Sequence, residues 1–333
     1  MKKLCAFLLA GCMLFSLAAC GGGAFAAANP TYRLRFGHAI TDMDTFHLYM
    51  EEWAKAVFEA TNGDLLVEIF PNSQLGNEED VIEQIRQGAP IGWQTDFARL
   101  GNYVTGLSVV NAPFFVSSLE EAFSLRDSAT IQGLNEELAE QFGILNFSFA
   151  WVQGDRHVFA NTIAKNPAEM SSLMIRTAPA PIWVESVNSL GCRAVSLPYG
   201  EIYTGIQTRV VDGCELPYNA AFNSKLHEVS RYVMETGHIF QLNSMILSRD
   251  WFNSLPEEYQ NILIEECNKA GIAASHALAE QTANSRAEMV AGGITVIPQS
   301  ELDMAAFIEK SAEAYEKLGL TDVRASVYAD IGK

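Results

Sequence analysis

The sequence lacks the short motifs by which many nucleotide-dependent and hydrolytic enzymes are recognised. It contains no HExxH pair, no Walker lysine loop, no GxGxxG turn after a strand and no GxSxG elbow. Its six histidines are scattered, and no two of them lie four residues apart, as they would on one face of a metal-binding helix. The sequence therefore predicts a protein that is not an enzyme and that uses no metal and no cofactor.

Basic residues are also scarce. The chain has 22 Lys and Arg against 40 Asp and Glu, which gives a formal charge of −18 at pH 7. Phosphate backbones are bound by clustered cations, so this composition argues against nucleic acid as a partner. It does not argue against small anions, because these respond to the local field inside one pocket rather than to net charge.

Cysteine is infrequent, and no two cysteines have CxxC spacing. Beyond the N-terminal segment only Cys192, Cys214 and Cys267 remain, which is an odd number. A single disulfide between Cys192 and Cys214 and a set of buried free thiols are both compatible with an oxidising compartment.

The only long apolar run occupies the N-terminus. Two lysines precede an apolar stretch over residues 4–19, which is typical of a secretory signal peptide, and no later stretch reaches the roughly 20 apolar residues that span a bilayer. The segment LAAC resembles the lipobox of bacterial lipoproteins, which predicts a signal peptide over residues 1–19, lipid on Cys20 and a flexible tether over residues 20–30. Ordinary cleavage near residues 26–28 is the alternative. We expect an exported protein, periplasmic or on the outer face of the membrane, that contacts the membrane only through its lipid.

Strand-like and helix-like patterns alternate along the rest of the chain, which is typical of an α/β protein. The predicted strands occupy residues 32–40, 65–71, 144–153, 157–161, 174–178, 192–198 and 210–217, and residues 91–96 and 107–113 are predicted as strands or strand–loop transitions. The predicted helices include residues 45–63, 77–88 and 256–293. At about 1.5 Å per residue, the last helix is longer than a small domain is wide, so we expect it to cross two domains.

Two arginines lie twenty residues apart within this mainly apolar framework. Arg156 directly precedes one predicted strand and Arg176 lies inside another, so a rigid backbone would fix both guanidinium groups. Arginine suits a carboxylate ligand because its planar fork donates two parallel hydrogen bonds. The alternative is that one of them forms a structural salt bridge with Asp155, Glu201 or Glu215.

Several segments, in the same order, resemble the extracytoplasmic solute-binding proteins of TRAP (tripartite ATP-independent periplasmic) transporters. They are FPNSQLGNEEDVIEQIRQGAP (70–90), NAPFF (111–115), residues 170–217 with GEIYTGIQTRVVDG, and the helical C-terminal third. The resemblance runs from Tyr32 to about Val327. It implies a type II-like periplasmic binding-protein fold, in which two α/β domains joined by crossing strands and a long shared helix close over a ligand. It also implies TRAP membrane permease subunits as partners.

The resemblance further predicts domain boundaries and site residues. Domain I would comprise residues 31–153 plus about 242–281, and domain II residues 154–241 plus about 282–333. The family's signature arginine for the ligand carboxylate corresponds to Arg176.

Four more positions follow from the same resemblance. Arg156 corresponds to a second arginine of the ligand site, and Tyr199 to an aromatic residue that packs on the ligand. Asp96 and Glu78 fall near polar positions of the site.

The predicted cleft is rich in aromatic residues. They are Trp93, Phe114, Phe115, Trp151, Trp183 and Tyr199. Leu216 occupies the position at which sugar-acid and dicarboxylate binders of this family commonly have asparagine, and an apolar side chain cannot hydrogen-bond a hydroxyl. We therefore predict an organic carboxylate with a flat or apolar body: an indolyl or phenyl 2-oxo acid, an aryl acetate or an aromatic amino acid. Asp96 or Glu215 would accept from its ammonium or indole N–H group.

Other interpretations use the same scaffold. The ligand could be a C4-dicarboxylate or a sugar acid, or the protein could present its ligand to a membrane receptor as a sensor subunit. A periplasmic enzyme would need a base near the ligand, for which Asp96 and His38 are the candidates. His38 and His157 both adjoin predicted strand ends and are also candidate ligand contacts.

Overall fold

The computed structural model describes residues 29–333. The predicted signal peptide, Cys20 and nearly all of the predicted tether lie outside the described residues. Within residues 29–333, no helix is both long and apolar enough to cross a membrane.

Strands and helices alternate along the described chain, as the sequence predicts for an α/β protein. The strands are β1 (Tyr32–Gly37), β2 (Leu65–Phe70), β3 (Ile91–Asp96), β4 (Ile144–Ala160), β5 (Met174–Thr177), β6 (Arg193–Ser196), β7 (Gly213–Pro217), β8 (Tyr232–Ser248) and β9 (Thr295–Ile297). The helices are α1 (Thr45–Ala60), α2 (Glu78–Arg86), α3 (Phe97–Leu100), α4 (Leu119–Ser124), α5 (Ala129–Phe142), α6 (Pro167–Met170), α7 (Pro181–Ser189), α8 (Ile202–Gln207), α9 (Tyr218–Asn223), α10 (Arg249–Asn253), α11 (Glu257–Ala291), α12 (Met304–Lys317) and α13 (Thr321–Asp330).

The strands form one sheet in the order β2-β1-β3-β8-β4-β7-β5-β6, with β9 beside β8. Strand β1 is parallel to β2 and β3, and β5 is parallel to β6 and β7. Between these two sets run β4 and β8, which are antiparallel to each other. We call the part built on β1–β3 the first lobe and the part built on β5–β7 the second lobe.

The two crossing strands are 17 residues long each. The sequence pattern predicts two strands in place of β4 and none in place of β8. Arg156 therefore lies inside a strand and not, as expected, directly before one. The pairing shifts register between Val152 and Gly154, where Gly154 has a φ of 90°, a left-handed conformation that glycine adopts without steric cost. Gly154 pairs with Gln241, so the predicted domain boundaries fall at the middle of both crossing strands.

Another predicted strand is wrong. Residues 107–113 were predicted as a strand or a strand–loop transition, but Thr105–Asn111 is a 3₁₀ helix in which all residues from Leu107 onward are buried. Short apolar runs buried on every side have no distinctive period, and pattern alone does not separate a strand from a helical turn there. The three mature cysteines beyond residue 29 are buried and free, so neither Cys192 nor Cys214 forms the disulfide considered above.

Helix α11 confirms the predicted long helix. It has 35 residues, so its length is about 50 Å at 1.5 Å per residue. It packs on α1 of the first lobe, on the crossing strand β4 and on α9 of the second lobe. Gly271 permits its close approach, because a Cβ atom there would lie 2.6 Å from the Trp151 indole nitrogen.

Each lobe has its own buried side chains. One cluster in the first lobe includes Trp53 and Trp151, and the second lobe contains separate clusters around Phe159 and Phe307. A further cluster joins Val81 of the first lobe with Trp183 of the second, so the two lobes are in contact. The polar cavity described next lies between them.

Candidate functional site

A polar cavity lies where the two lobes face each other across β4 and β8. Its volume is about 70 Å³. Its walls come from both lobes and from the crossing strands. The lining residues are Ala39, Ile40, Glu78, Gln94, Thr95, Asp96, Arg99, Gln153, Arg156, Arg176, Ala178, Trp183, Tyr199, Leu216, Ala220, Gln241 and Asn243.

Arg176 is a buried cation that forms no ion pair within the described part of the chain. It lies on β5 between β6 and β7, only 1% of its surface is exposed, and its Nε donates to the Leu197 carbonyl oxygen at 2.8 Å. No aspartate or glutamate of residues 29–333 forms an ion pair with it. Burial lowers the pKa of Arg176 to about 10, so its guanidinium remains charged at neutral pH. A buried charge needs a partner, and here the free side of the guanidinium borders the cavity.

Arg156 differs, because its charge is neutralised within the protein. Its Nε and Nη2 donate to the Glu215 carboxylate, with 2.8 Å from Nη2 to Oε1, and Nη2 also donates to the Glu215 carbonyl oxygen at 2.7 Å. Its Nη1 donates to Gln241, and its guanidinium lies 4.6 Å from the centre of the Trp183 ring. The structural salt bridge that sequence analysis left open is therefore formed by Arg156, and its partner is Glu215.

Glu215 does not line the cavity, which corrects its predicted role as an acceptor for the ligand. It is fully buried, and Thr177 donates to its Oε1 at 2.7 Å. Burial alone would raise the pKa of Glu215, but Arg156 and His238 bring it down to about 2. The carboxylate is ionised and fully occupied by these protein donors.

The first lobe contributes an acidic wall organised by Arg99, which sequence analysis missed. The Arg99 guanidinium donates to Asp96. It also lies 3.3 Å from Glu78 Oε2 and 3.1 Å from Glu79 Oε1. Thr95 donates to Glu78 Oε1 at 2.6 Å. The sequence does contain a signal for Arg99: it follows the strand-ending Asp96 by three residues. Asp96 is the N-cap of α3 and accepts from the Arg99 N–H at 2.8 Å, which brings the two side chains together.

Glu78 has an unusual protonation equilibrium for a carboxyl group. Its burial raises the pKa, Arg99 opposes this increase, and the neighbouring Asp96 charge adds to it, so that the pKa is about 7. Near neutral pH the group is therefore present both as a carboxylate and as a neutral acid that can donate a hydrogen bond.

Three more predicted residues line the cavity from the second lobe. The Trp183 indole Nε1 donates across the cavity to Asp96 Oδ1 at 3.2 Å. The Tyr199 hydroxyl lies 2.7 Å from the Ser224 hydroxyl, which orients the ring. Leu216 is buried and gives the wall one apolar patch.

Other predicted contacts lie elsewhere. Trp93 and Trp151 are both completely buried in core clusters, and neither lines the cavity. His38 is buried against His47, with 3.0 Å between Nε2 and Nδ1, and its pKa is lowered to about 3 by burial and by His47. Both tryptophans and His38 were predicted from their position at strand ends, which does not distinguish a side chain facing the cleft from one facing the helices behind the sheet.

Phe114, Phe115 and His157 also lie outside this cavity. Phe114 and His157 line a different cavity, and His157 accepts from the Gly237 N–H at 3.1 Å. Phe115 is buried and stacks on Tyr328 with ring centres 5.1 Å apart. Of the six aromatic residues predicted for the cleft, Trp183 and Tyr199 line this cavity and the other four do not.

Amide side chains line much of the cavity where the sequence predicted aromatic rings. Gln94, Gln153, Gln241 and Asn243 all line the cavity, and each offers both a donor and an acceptor. Gln241 and Asn243 were not predicted because they lie on β8, a strand that the sequence pattern does not indicate. Gln94 and Gln153 lie in predicted strands but carry no signal that separates them from other polar strand residues.

Two lobes joined by crossing strands around a polar cavity define a periplasmic solute-binding protein. The family model of bacterial extracellular solute-binding protein, family 7 (DctP), matches residues 36–322, and the chain belongs to this family. The resemblance to TRAP solute-binding proteins is thereby confirmed, and with it the two-domain fold. Members of the family are exported proteins that bind small organic acids and work with membrane permeases.

Individual relatives agree with this assignment. The 2,3-diketo-L-gulonate-binding periplasmic protein YiaO of Escherichia coli strain K12 is 26% identical over 314 residues, which are 93% of this chain and 94% of that protein. A TRAP periplasmic solute-binding protein of Escherichia fergusonii, solved in an apo open form, is 28% identical with a TM-score of 0.79, over 90% of this chain and 99% of that one. One from Ochrobacterium anthropi with bound L-fuconate has a TM-score of 0.85 at 21% identity, over 90% and 99% of the two chains, and shows the shared fold.

Proposed function

We propose that this protein captures a small hydroxylated monocarboxylate, of the sugar-acid class, with Arg176 as the anchor for the carboxylate. The observation that supports this most strongly is a buried, charged guanidinium that borders the cavity and has no acidic partner within the described chain. A carboxylate would complete it with charge-assisted hydrogen bonds, and the exclusion of water by the closed lobes would strengthen them.

The rest of the cavity favours hydroxyl groups over a flat apolar body. Four amide side chains and the Thr95 hydroxyl line the cavity and can hydrogen-bond a polyhydroxylated chain, whereas two aromatic rings line it. The relative from Escherichia coli is named for a sugar acid, 2,3-diketo-L-gulonate. Both observations support the sugar-acid alternative over the aromatic ligand that sequence analysis preferred. Leu216 would face a carbon of the ligand backbone rather than a hydroxyl.

A C4-dicarboxylate fits the charges less well. Its second carboxylate would need a second free cation, but Arg156 is paired with Glu215 and Arg99 contacts three carboxylates. A monocarboxylate leaves these internal pairs intact.

We infer that capture is not followed by chemistry. The two candidate bases are both engaged, because Asp96 accepts from Arg99 and Trp183, and His38 bonds to His47 outside the cavity. A bound acid that is recovered unchanged after long incubation would support this, and any stoichiometric product would contradict it.

Delivery would take place at the membrane, and we propose that a lipid on Cys20 retains the protein there. The lipobox-like LAAC segment motivates this proposal. The measurement is the intact mass of the membrane-extracted protein, and a mature chain that begins between residues 26 and 29 without acyl chains would contradict it.

The ligand class is tested by thermal shift and calorimetry with aldonates, uronates, 2,3-diketo-L-gulonate, C4-dicarboxylates and indolyl or phenyl acids. A ligand at a hundred times its Kd stabilises the fold by about 2.7 kcal/mol, so the midpoint rises by several degrees. We expect a shift with hydroxylated monocarboxylates that disappears in Arg176→Ala and is strongly reduced in Arg176→Lys, which lacks the bidentate fork. Arg193→Ala, an exposed arginine on the adjacent β6, is the matched control. Binding of only aromatic acids, or full binding by Arg176→Ala, would contradict the proposal.

A further inference from the structure

We propose that Asn223 and Asp44 form a latch that fastens the two lobes over the bound solute, and that Asn223 is therefore a positioning residue for capture. The inference rests on the proposed capture function, because it concerns how the same cavity closes. Asn223 Nδ2 donates to Asp44 Oδ2 at 2.9 Å. This hydrogen bond joins α9 of the second lobe to the start of α1 in the first.

The acceptor is fixed before closure. Asp44 is the N-cap of α1, and its Oδ1 accepts from the Phe46 N–H at 2.9 Å. This cap orients the carboxylate and leaves Oδ2 for a second donor. The positive end of the α1 dipole stabilises the negative charge at this position.

Closure makes the second donor necessary. Asp44 is only 1% exposed with the lobes together, and burial raises the pKa of its carboxyl group. An oxygen that loses water on closure has to receive a protein hydrogen bond, or the closed form is penalised. Asn223 supplies that bond from the opposite lobe.

The latch adjoins the rim of the cavity on both sides. Ile40 lines the cavity four residues before Asp44, and Ala220 lines it one helical turn before Asn223. The end of α9 is also connected to the lining, because the hydroxyl of Tyr199 lies 2.7 Å from that of Ser224. A ligand that packs on Tyr199 would therefore position the helix end that presents the latch donor.

The same arrangement occurs at a second point across the cleft. Asp96 caps α3 through the Arg99 N–H and also accepts from the Trp183 indole of the second lobe. In both places an N-cap aspartate of the first lobe receives a hydrogen bond from the second. Trp183, the donor to Asp96, lines the cavity, whereas Asn223, the donor to Asp44, does not. A substitution of Asn223 therefore changes no lining side chain.

The test compares Asn223→Ala and Asn223→Asp with the parent protein. The alanine removes the donor, and the aspartate places a second carboxylate against Asp44. Asn161→Ala is the matched control, because Asn161 Nδ2 donates to the Val229 carbonyl at 2.9 Å within the second lobe. Small-angle scattering without ligand and with L-gulonate gives the radius of gyration, and stopped-flow dilution gives the dissociation rate.

We expect Asn223→Ala to release L-gulonate about tenfold faster, as befits a lost hydrogen bond to a charged group, and Asn223→Asp to release it faster still. We also expect Asn223→Asp to have a larger radius of gyration than the parent without ligand. Asn161→Ala should match the parent in both measurements. Parent-like radii and rates in both Asn223 variants would overturn the latch.

The two proposals fail separately. If the parent binds no carboxylate of the panel, the proposed function fails and the ligand-free radii alone decide the latch. If the parent binds an acid and Arg176→Ala does not, while the Asn223 variants behave as the parent, the latch fails and the proposed function stands.

Discussion

The two lobes each contribute a buried arginine to the same cavity, and the two arginines have opposite surroundings. Arg99 of the first lobe contacts three carboxylates, whereas Arg176 of the second lobe contacts none in the described chain. Both residues are at least 93% buried. Arg99 organises the acidic wall and is neutralised by its three carboxylates, whereas Arg176 keeps a charge that the proposed solute carboxylate would neutralise.

Arg156 shows why exposure and cavity lining alone do not identify the anchor. It is buried and lines the cavity as Arg176 does, yet its charge is satisfied by Glu215. The two arginines differ in whether a protein carboxylate neutralises them. This difference predicts opposite effects of their removal on the stability of the ligand-free protein.

The largest expected effect is on unfolding without ligand. Arg156→Met leaves Glu215 buried without its counter-ion, and breaking a buried pair in this way costs about 3–5 kcal/mol. The midpoint should fall by roughly 10 °C, at about 2–4 °C per kcal/mol for a chain of this size class. Arg176→Met removes a desolvated charge that no carboxylate of residues 29–333 neutralises, so its midpoint should equal or exceed that of the parent. Calorimetric scans at pH 7.5 measure both.

A control separates loss of charge pairing from loss of packing. The double variant Arg156→Met/Glu215→Leu removes both charges, and it should recover much of the stability that Arg156→Met loses. Equal destabilisation by the two single Arg→Met changes would remove the distinction between the arginines.

The acidic wall predicts a smaller effect that depends on pH. Because the pKa of Glu78 in the fold, about 7, lies above its ordinary value of 4.5, folding favours the protonated form. The stabilisation of the fold by protonated Glu78 is complete below about pH 4.5 and is lost as the pH rises through 7. Glu78→Gln is always neutral, so its midpoint relative to the parent should rise by a few degrees between pH 5 and pH 8.

Glu83→Gln on the same helix is the control for this measurement. The pKa of Glu83 is lowered to about 2 by hydrogen bonds from Arg86 and Gln87, so this group stays ionised at both pH values. Its effect on the midpoint should not change between pH 5 and pH 8. A constant difference for Glu78→Gln as well would show that burial does not raise the pKa of Glu78.

The strand around Arg176 and the long helix α11 could be predicted because their signals are local. The short strand that contains Arg176 and the 35-residue helix α11 can each be predicted from neighbouring residues alone, without knowledge of the elements they pair or pack with. Strand β8 could not be predicted in this way, since its pairing with β4 joins residues about 90 positions apart. The cavity amides Gln241 and Asn243 were missed together with it.

The aromatic interpretation failed for a related reason. A tryptophan beside polar residues at a strand end faces either the cleft or the helices that cover the sheet, and the choice depends on packing between distant elements. Trp151 faces α11, whose Gly271 lies against its indole, and Trp93 joins the core next to α2. Trp183 faces the cavity because α7 is placed opposite Asp96.

The smallest expected effect separates these two kinds of tryptophan. Trp183→Phe removes the indole donor to Asp96 and weakens the contact with Arg156, while the ring still lines the cavity, so affinity for a sugar acid should fall by about 3- to 10-fold. Trp93→Phe should lower the unfolding midpoint through imperfect filling of the core while the affinity stays within about twofold. Calorimetric titration of both variants with the same acid gives the comparison. An equal loss of affinity in both would mean that the core around Trp93 and the cavity wall respond as one unit, and that lining the cavity is not what distinguishes a ligand contact in this protein.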